Sequence, residues 1–153
     1  MVDSALRGRH RRTLAARARE LRGSGSSRAR RLAAAALALL VNQSIAHIWN
    51  RSRPFATHAD ATVFGARSHD PSFPSDHASA AFAIALTVLL FDRVAGEIFI
   101  LAAASIAVGR VVTGVHYPSD VVAGVLVGAG AALVVVRLGG PLIDKGLCTW
   151  PSG

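Results

Sequence analysis

His116 and Asp120 stand four residues apart, just before an apolar stretch. At that spacing a carboxylate at the start of a helix can reach back to one imidazole nitrogen. Such a contact fixes the tautomer and leaves the other nitrogen free to attack an electrophile. His77, which closes the run Pro74-Ser75-Asp76-His77 at the head of an earlier apolar stretch, could protonate a leaving-group oxygen. Arg53 and Arg110 offer planar guanidinium forks matched to phosphate oxygens. Together these groups suit an anion site with nucleophilic and acid–base chemistry, and a phosphoryl group is the anion they fit. Each also has a plainer reading. His116 and Asp120 could form a helix-capping pair, His77 could be a polar residue at a helix end, and Ser75 could be an N-cap. The chemical reading requires that the segments around 53, 77, 110 and 116 meet at one place.

The elements that must bring them together are apolar. Of the 153 residues, 52% are hydrophobic and only 17% charged, and the mean hydropathy is +0.41, a balance that favours a membrane protein. Four apolar stretches, near 32–49, 77–92, 97–112 and 120–138, approach the ~20 residues needed to cross a bilayer as helices. The expected fold is therefore all-α, an integral-membrane bundle of about four transmembrane helices. Residues 92, 93, 96 and 97 read as a tight polar turn between the second and third. Trp49 fits an interfacial aromatic, and Gly124 with Gly128 a small-residue pair for close helix packing. Asn42, Gln43 and His47 lie within the first stretch, where polar groups must face protein, water or a lipid head group. Cys148 is the only cysteine, so the chain forms no internal disulfide.

Charge orients the bundle. Residues 1–31 hold ten arginines against Asp3 and Glu20, a net of +8 that equals the formal charge of the whole chain. Beside a hydrophobic domain this reads as a cytoplasmic flank or an anionic-lipid-binding surface. Leu14, Ala18 and Leu21 would share one face of an interfacial helix, and residues 23–27 read as a flexible joint. The expected domains are a basic cytoplasmic tail over 1–31, a membrane domain over 32–138 and a C-terminal tail over 139–153. With the N-terminus cytoplasmic, segments 50–76 and 110–120 both emerge on the extracytoplasmic face of the cell membrane. Hydropathy and charge thus bring the chemical residues to one side.

Pro74-Ser75-Asp76-His77, the run Arg110-x-x-x-Gly114-x-His116-x-x-x-Asp120 and the preceding Arg53-Pro54 resemble the three signature motifs of the type 2 phosphatidic acid phosphatase superfamily. The version here looks most like bacitracin-resistance-type undecaprenyl-diphosphate phosphatases, over about residues 40–137. The resemblance implies that His116 is phosphorylated, that Asp120 orients it, and that His77 protonates the leaving oxygen and then activates water. It also implies that Arg53, Ser75, Arg110 and backbone amides near 75–77 hold the phosphate, with Asp76 beside them and with no metal or cofactor. The implied substrate is an isoprenoid diphosphate, undecaprenyl diphosphate foremost, a carrier lipid of cell-wall synthesis. Three features depart from the pattern. Ala46 stands where the family has lysine, for which His47 or Arg51 would have to substitute. Asp76 replaces the usual glycine and needs a partner such as an arginine. An arginine-rich tail occupies the place of two upstream helices, which suits a fragment, a misplaced start or a truly short form of the family core.

Rival readings follow from the same residues. Phosphatidic acid or phosphatidylglycerophosphate would satisfy the same site, and a truncated, non-catalytic membrane protein would fit the departures. His69 and Asp70 with His77 and His116 could ligate a cation, but nearby arginines oppose it. Residues 32–41 could be the core of a secretory signal, although three more apolar runs follow. His58, Asp60 and Arg67 read as solvated loop residues. The tail lacks the aromatic interleaving of a nucleic-acid binder, so the expected partners are the lipid phosphate and membrane lipids, with homo-oligomerisation left open.

Overall fold

The computed structural model describes residues 2–57, 70–139 and 143, with side chains described from Gly25 onward. The elements are α1 (Val2–Ile48), the short α2 (Pro54–Thr57), α3 (Asp76–Leu89), α4 (Arg93–Val112) and α5 (Pro118–Val134), followed by a π-helical turn, Val135–Gly139. The described residues contain no strand. Among the described residues, three segments are long and apolar enough to cross a bilayer: Gly25–Ile48, Arg93–Val112 and Pro118–Gly139. The fourth, α3, has 14 residues and so runs only about 21 Å at 1.5 Å per residue. The all-α membrane bundle expected from hydropathy is the fold.

Sequence punctuation sets most boundaries. The Asp92 side chain accepts from the Ala95 amide at 3.0 Å and caps α4, satisfying one orphan donor of the first turn. The polar turn is consequently tighter than expected: Arg93, Gly96 and Glu97 belong to α4 itself. Pro118 occupies the first turn of α5, where its missing N–H costs nothing. Between α4 and α5 the chain reverses through Gly114 at φ 69°, a left-handed conformation that side chains with a Cβ resist. The flexible joint expected at 23–27 is instead helical, because α1 runs through it unbroken. Arg31 donates from Nε to the Ser27 carbonyl at 3.0 Å and from Nη2 to the Ser27 hydroxyl at 3.3 Å. Strong helix formers on both sides outweigh the roughly 1 kcal/mol that each glycine costs. The proposed apolar face of Leu14, Ala18 and Leu21 lies outside the described side chains, as do His58, Asp60, Arg67, His69, Lys145 and Cys148.

Packing is inverted relative to a water-soluble core. Buried positions are small (Ala34, Ala38, Ala78, Ala83, Ala103, Ala131 and Ala132), whereas Leu32, Leu40, Leu101, Val108, Leu126 and Leu138 face outward. Helices in lipid gain little from burying large apolar groups and associate by close backbone approach instead. The central element is α3, packed by α1, α4 and α5. Gly124 and Gly128 are the contact points with α5: a Cβ at Gly124 would lie 2.7 Å from the Ser75 carbonyl oxygen, and one at Gly128 would lie 2.4 Å from that of Ser79. A Cβ at Gly96 would lie 2.2 Å from the Leu89 Cα, so the α3–α4 corner also requires glycine. Trp49, at the end of α1, is exposed and sits 5.5 Å from the Phe73 ring.

We expect Gly128→Ala to destabilise the bundle by about 1–3 kcal/mol, the usual cost of forcing a methyl into a full site. Gly130→Ala, which meets nothing within 4 Å, should be neutral or slightly stabilising. Thermal melts of the two variants in detergent compare them directly.

Candidate active site

Segments far apart in sequence meet at one end of the bundle because hydrogen bonds sew them together. Arg53, only 9% exposed, donates from Nε to the Asp70 carbonyl at 2.9 Å and from Nη1 to the Val115 carbonyl at 3.3 Å. The Ser75 amide donates to the Asp120 carbonyl at 3.0 Å, and the His116 amide to the Arg110 carbonyl at 3.2 Å. The result is a cavity of about 300 Å³ walled by Arg53, Asp70, Asp76, His77, Arg110 and His116, with Asn42, Gln43 and Ala46 contributed by α1. Six of the residues that the sequence singles out therefore fall at one place: His77, His116, Arg53, Arg110 and Asp76 on the cavity wall, and Asp120 directly behind His116. A larger cleft of about 650 Å³ at the opposite end, between Leu89, Arg93, Glu97, Ile100 and Leu101, has no nucleophile and only one cation.

His116 is 4% exposed. Its Nδ1 lies 2.8 Å from the Ser72 carbonyl oxygen. A carbonyl can only accept, so Nδ1 carries the hydrogen and Nε2 keeps its lone pair. Sequence spacing assigns this orienting contact to Asp120, and the structure corrects that detail. The Asp120 Oδ2 stands 3.8 Å from Nδ1, beyond hydrogen-bond range, because it is already engaged by the Ser72 hydroxyl and by the Tyr117 amide at 2.9 Å. Asp120 is fully buried in the first turn of α5, where the helix dipole favours a carboxylate.

Burial pushes the His116 imidazole down to about 4; the Ser72 carbonyl opposes this, Arg53 and Arg110 add to it, and Asp120 opposes it more weakly. The ring is therefore neutral across physiological pH, the state a nucleophile requires.

Phosphate-sized anions would find unsatisfied donors here. The Arg110 Nε on the cavity wall and the Ser75 hydroxyl at the head of α3 are both buried with no hydrogen-bond partner among the described residues. Ser75 occupies the N-cap position of α3, but its hydroxyl does not cap the helix, so the plain capping reading fails for the side chain. The start of α3 adds amides suited to anions. Asp76 is paired, though with an amide in place of an arginine: Asn42 Nδ2 donates to its Oδ1 at 2.7 Å and to the Ser79 hydroxyl at 2.8 Å. Neither expected substitute for a lysine at 46 serves the cavity. His47 is exposed and does not line it, and Arg51 is bound to Asp120 at 2.8 Å. The sequence assigned no role to Ser72, left the partner of Asn42 open and gave Arg51 a different role, as a substitute for the lysine. Only Asn42 carried a signal, as a polar residue inside an apolar stretch.

Comparison with known proteins gives a consistent picture. Residues 29–143 match the family model described as the PAP2 superfamily. The bacitracin transport permease protein BcrC of Bacillus licheniformis is 33% identical over 99 residues, 65% of this chain and 49% of that protein. The putative undecaprenyl-diphosphatase YbjG of Escherichia coli (strain K12) is 32% identical over 121 residues, 76% of this chain and 61% of that protein. The undecaprenyl-diphosphatase BcrC of Bacillus subtilis (strain 168) is 33% identical over 89 residues, 58% of this chain and 46% of that protein. The chain thus spans about half the length of the curated relatives it matches.

The depressed His116 value has a stability consequence of definite sign. Between the ordinary value of 6.5 and about 4, the unfolded chain takes up a proton that the folded site refuses. Stability from this group is therefore full above 6.5, falls as pH drops through that window and levels off below it. His116→Gln should remove that component, so the gap in melting temperature between the two proteins should change between pH 6.5 and 4 and stay constant above 7.

Proposed function

This chain belongs to the PAP2 superfamily, and we propose that it is a membrane lipid phosphatase that removes the terminal phosphate of an isoprenoid diphosphate through a phosphohistidine at His116. Undecaprenyl diphosphate is the substrate favoured by the names of the relatives. The observation that carries the reading is a neutral imidazole, with one nitrogen free, sharing a cavity with two guanidiniums and a second imidazole.

The reaction follows from those positions. His116 Nε2 attacks phosphorus, an N–P bond forms, and the bond from phosphorus to the bridging oxygen breaks. His77, whose basicity burial and Arg110 lower, takes up a proton as the diphosphate brings negative charge beside it and gives that proton to the departing oxygen, releasing the lipid monophosphate. The neutral His77 then takes a proton from water, which attacks the phosphohistidine and frees inorganic phosphate. Arg53 and Arg110, with the Ser75 hydroxyl and the amides that open α3, bind the equatorial oxygens and stabilise the charge spread over them. Such positive groups supply the field that a metal provides in other phosphoryl-transfer sites.

Placement at the end of an apolar bundle supports a lipid substrate, since the head group can reach the cavity while the isoprenoid tail stays among lipids. The arginine-rich residues 1–31 support a cytoplasmic N-terminus by the positive-inside rule, which puts the cavity on the extracytoplasmic face of the cell membrane. On this reading 32–138 form the catalytic domain and 139–153 a tail.

His116→Ala should lower phosphate release from undecaprenyl diphosphate at least about a thousandfold while leaving membrane insertion unchanged. Normal turnover by that variant would remove the nucleophile. Vanadate should inhibit as a mimic of the transferring phosphoryl group, and indifference to millimolar vanadate would count against the chemistry. Release rates from undecaprenyl diphosphate and phosphatidic acid, measured side by side, decide between diphosphate and glycerolipid substrates.

A further inference from the structure

Arg51 lies outside the cavity wall, yet its side chain reaches three residues at this end of the molecule. Its Nη1 donates to Asp120 Oδ1 and to the Ser119 hydroxyl, both at 2.8 Å. The guanidinium stacks 4.1 Å above the centre of the Tyr117 ring. Its backbone carbonyl accepts the Ser72 amide at 2.8 Å. Ser72 is fully buried and uses its two oxygens in two directions: the hydroxyl donates to Asp120, and the carbonyl accepts from His116 Nδ1. Arg51, Ser72 and Asp120 thus form a closed ring with His116 hanging from one corner.

We propose that Arg51 is a positioning residue for the nucleophile: it neutralises Asp120 and anchors Ser72, so that the Ser72 carbonyl holds the His116 ring with Nε2 presented to substrate. The proposal rests on the assignment of His116 above. It gives Asp120 a structural charge to hold Ser72 and α5 in place, acting on the imidazole through Ser72.

The electrostatic consequence has a fixed direction. Arg53 from the segment after α1, Asp70, Asp76 and His77 before and at the head of α3, and Arg110 of α4 share the cavity with His116; Asp120 of α5 lies 3.8 Å from its Nδ1, and Arg51 acts on it through Asp120. Removing the Arg51 charge leaves the Asp120 carboxylate uncompensated 3.8 Å from Nδ1, which favours the protonated ring. The other groups are unchanged by that substitution.

The test is a titration of His116 by NMR of the full chain, labelled with [15N]histidine, in detergent micelles, with turnover of undecaprenyl diphosphate measured in parallel. Arg51→Gln should raise the His116 midpoint by about one unit or more and introduce the other tautomer. It should lower kcat about tenfold or more while KM changes less than about twofold, as expected for a misplaced reacting group. Arg51→Lys, which keeps the charge, should hold the midpoint near that of the unmodified protein and recover most of kcat. In the Asp120→Asn background, adding Arg51→Gln should change neither midpoint nor turnover further. That background also serves if Arg51→Gln alone does not fold, because it removes the stranded charge. An unchanged midpoint and kcat in Arg51→Gln, a raised KM with normal kcat, or a further loss in the Asp120→Asn background would each overturn the proposal. If the unmodified protein releases no phosphate, the proposed function fails, and the titration still decides the role of Arg51.

Discussion

A carboxylate cannot sit uncompensated inside an apolar bundle, and Asp120 is buried completely. The idealised cost of stripping water from such a charge is of order 20 kcal/mol, reduced in practice to several once partners are in place. Three donors supply the compensation: Arg51, the Ser72 hydroxyl and the Tyr117 amide. Two of them come from segments 69 and 48 positions away. Satisfying one charge therefore draws the segment after α1 and the segment before α3 onto the head of α5. Arg53 adds its own bonds to the Asp70 and Val115 carbonyls, His77 arrives at the head of α3, and the cavity is the space left between them.

The rest of the bundle is arranged so that this end can stay rigid. Gly124 presses its backbone against the Ser75 carbonyl, and Gly128 against that of Ser79, so α5 and α3 touch backbone to backbone at two points. His116 hangs between the end of α4 and the start of α5, and His77 stands on the first turn of α3. The glycine contacts therefore set the relative placement of the two imidazoles. In a water-soluble protein large side chains would carry that task. Here the large side chains face outward and small ones make the joints, as lipid surroundings favour.

Much of this was legible in the sequence because the governing terms are coarse. Apolar length gave the helices, and their alternation brought residues 50–57 and 70–76 to the same end as 110–120. Asn42 was visible as a polar residue that had to face something, and it faces Asp76 and Ser79. What escaped depends on finer matters. The group that orients His116 is a backbone carbonyl, and a carbonyl has no signature in residue type; the spacing of His116 and Asp120 pointed to the side chain instead. Arg51 sits two residues from Arg53, with similar chemistry and a different direction, and only the path of the backbone distinguishes them. The unbroken helix through 23–27 escaped because glycine and serine weaken a helix locally without being able to stop one flanked by alanine and arginine.

Under the proposed function, the two arginines that would hold the phosphate also take part in activating the nucleophile. Burial, Arg53 and Arg110 together keep His116 uncharged, so the ring is available but weakly basic. A bound phosphate brings negative charge to the same guanidiniums and screens them from the imidazole. The ring then becomes more basic, and hence more nucleophilic, only when an electrophilic phosphorus is present. The same change would be harmful if Asp120 acted without Arg51, because the uncompensated carboxylate would already have raised the basicity of the ring and invited a proton. Pairing that carboxylate elsewhere leaves the control of His116 to the anion it is meant to attack.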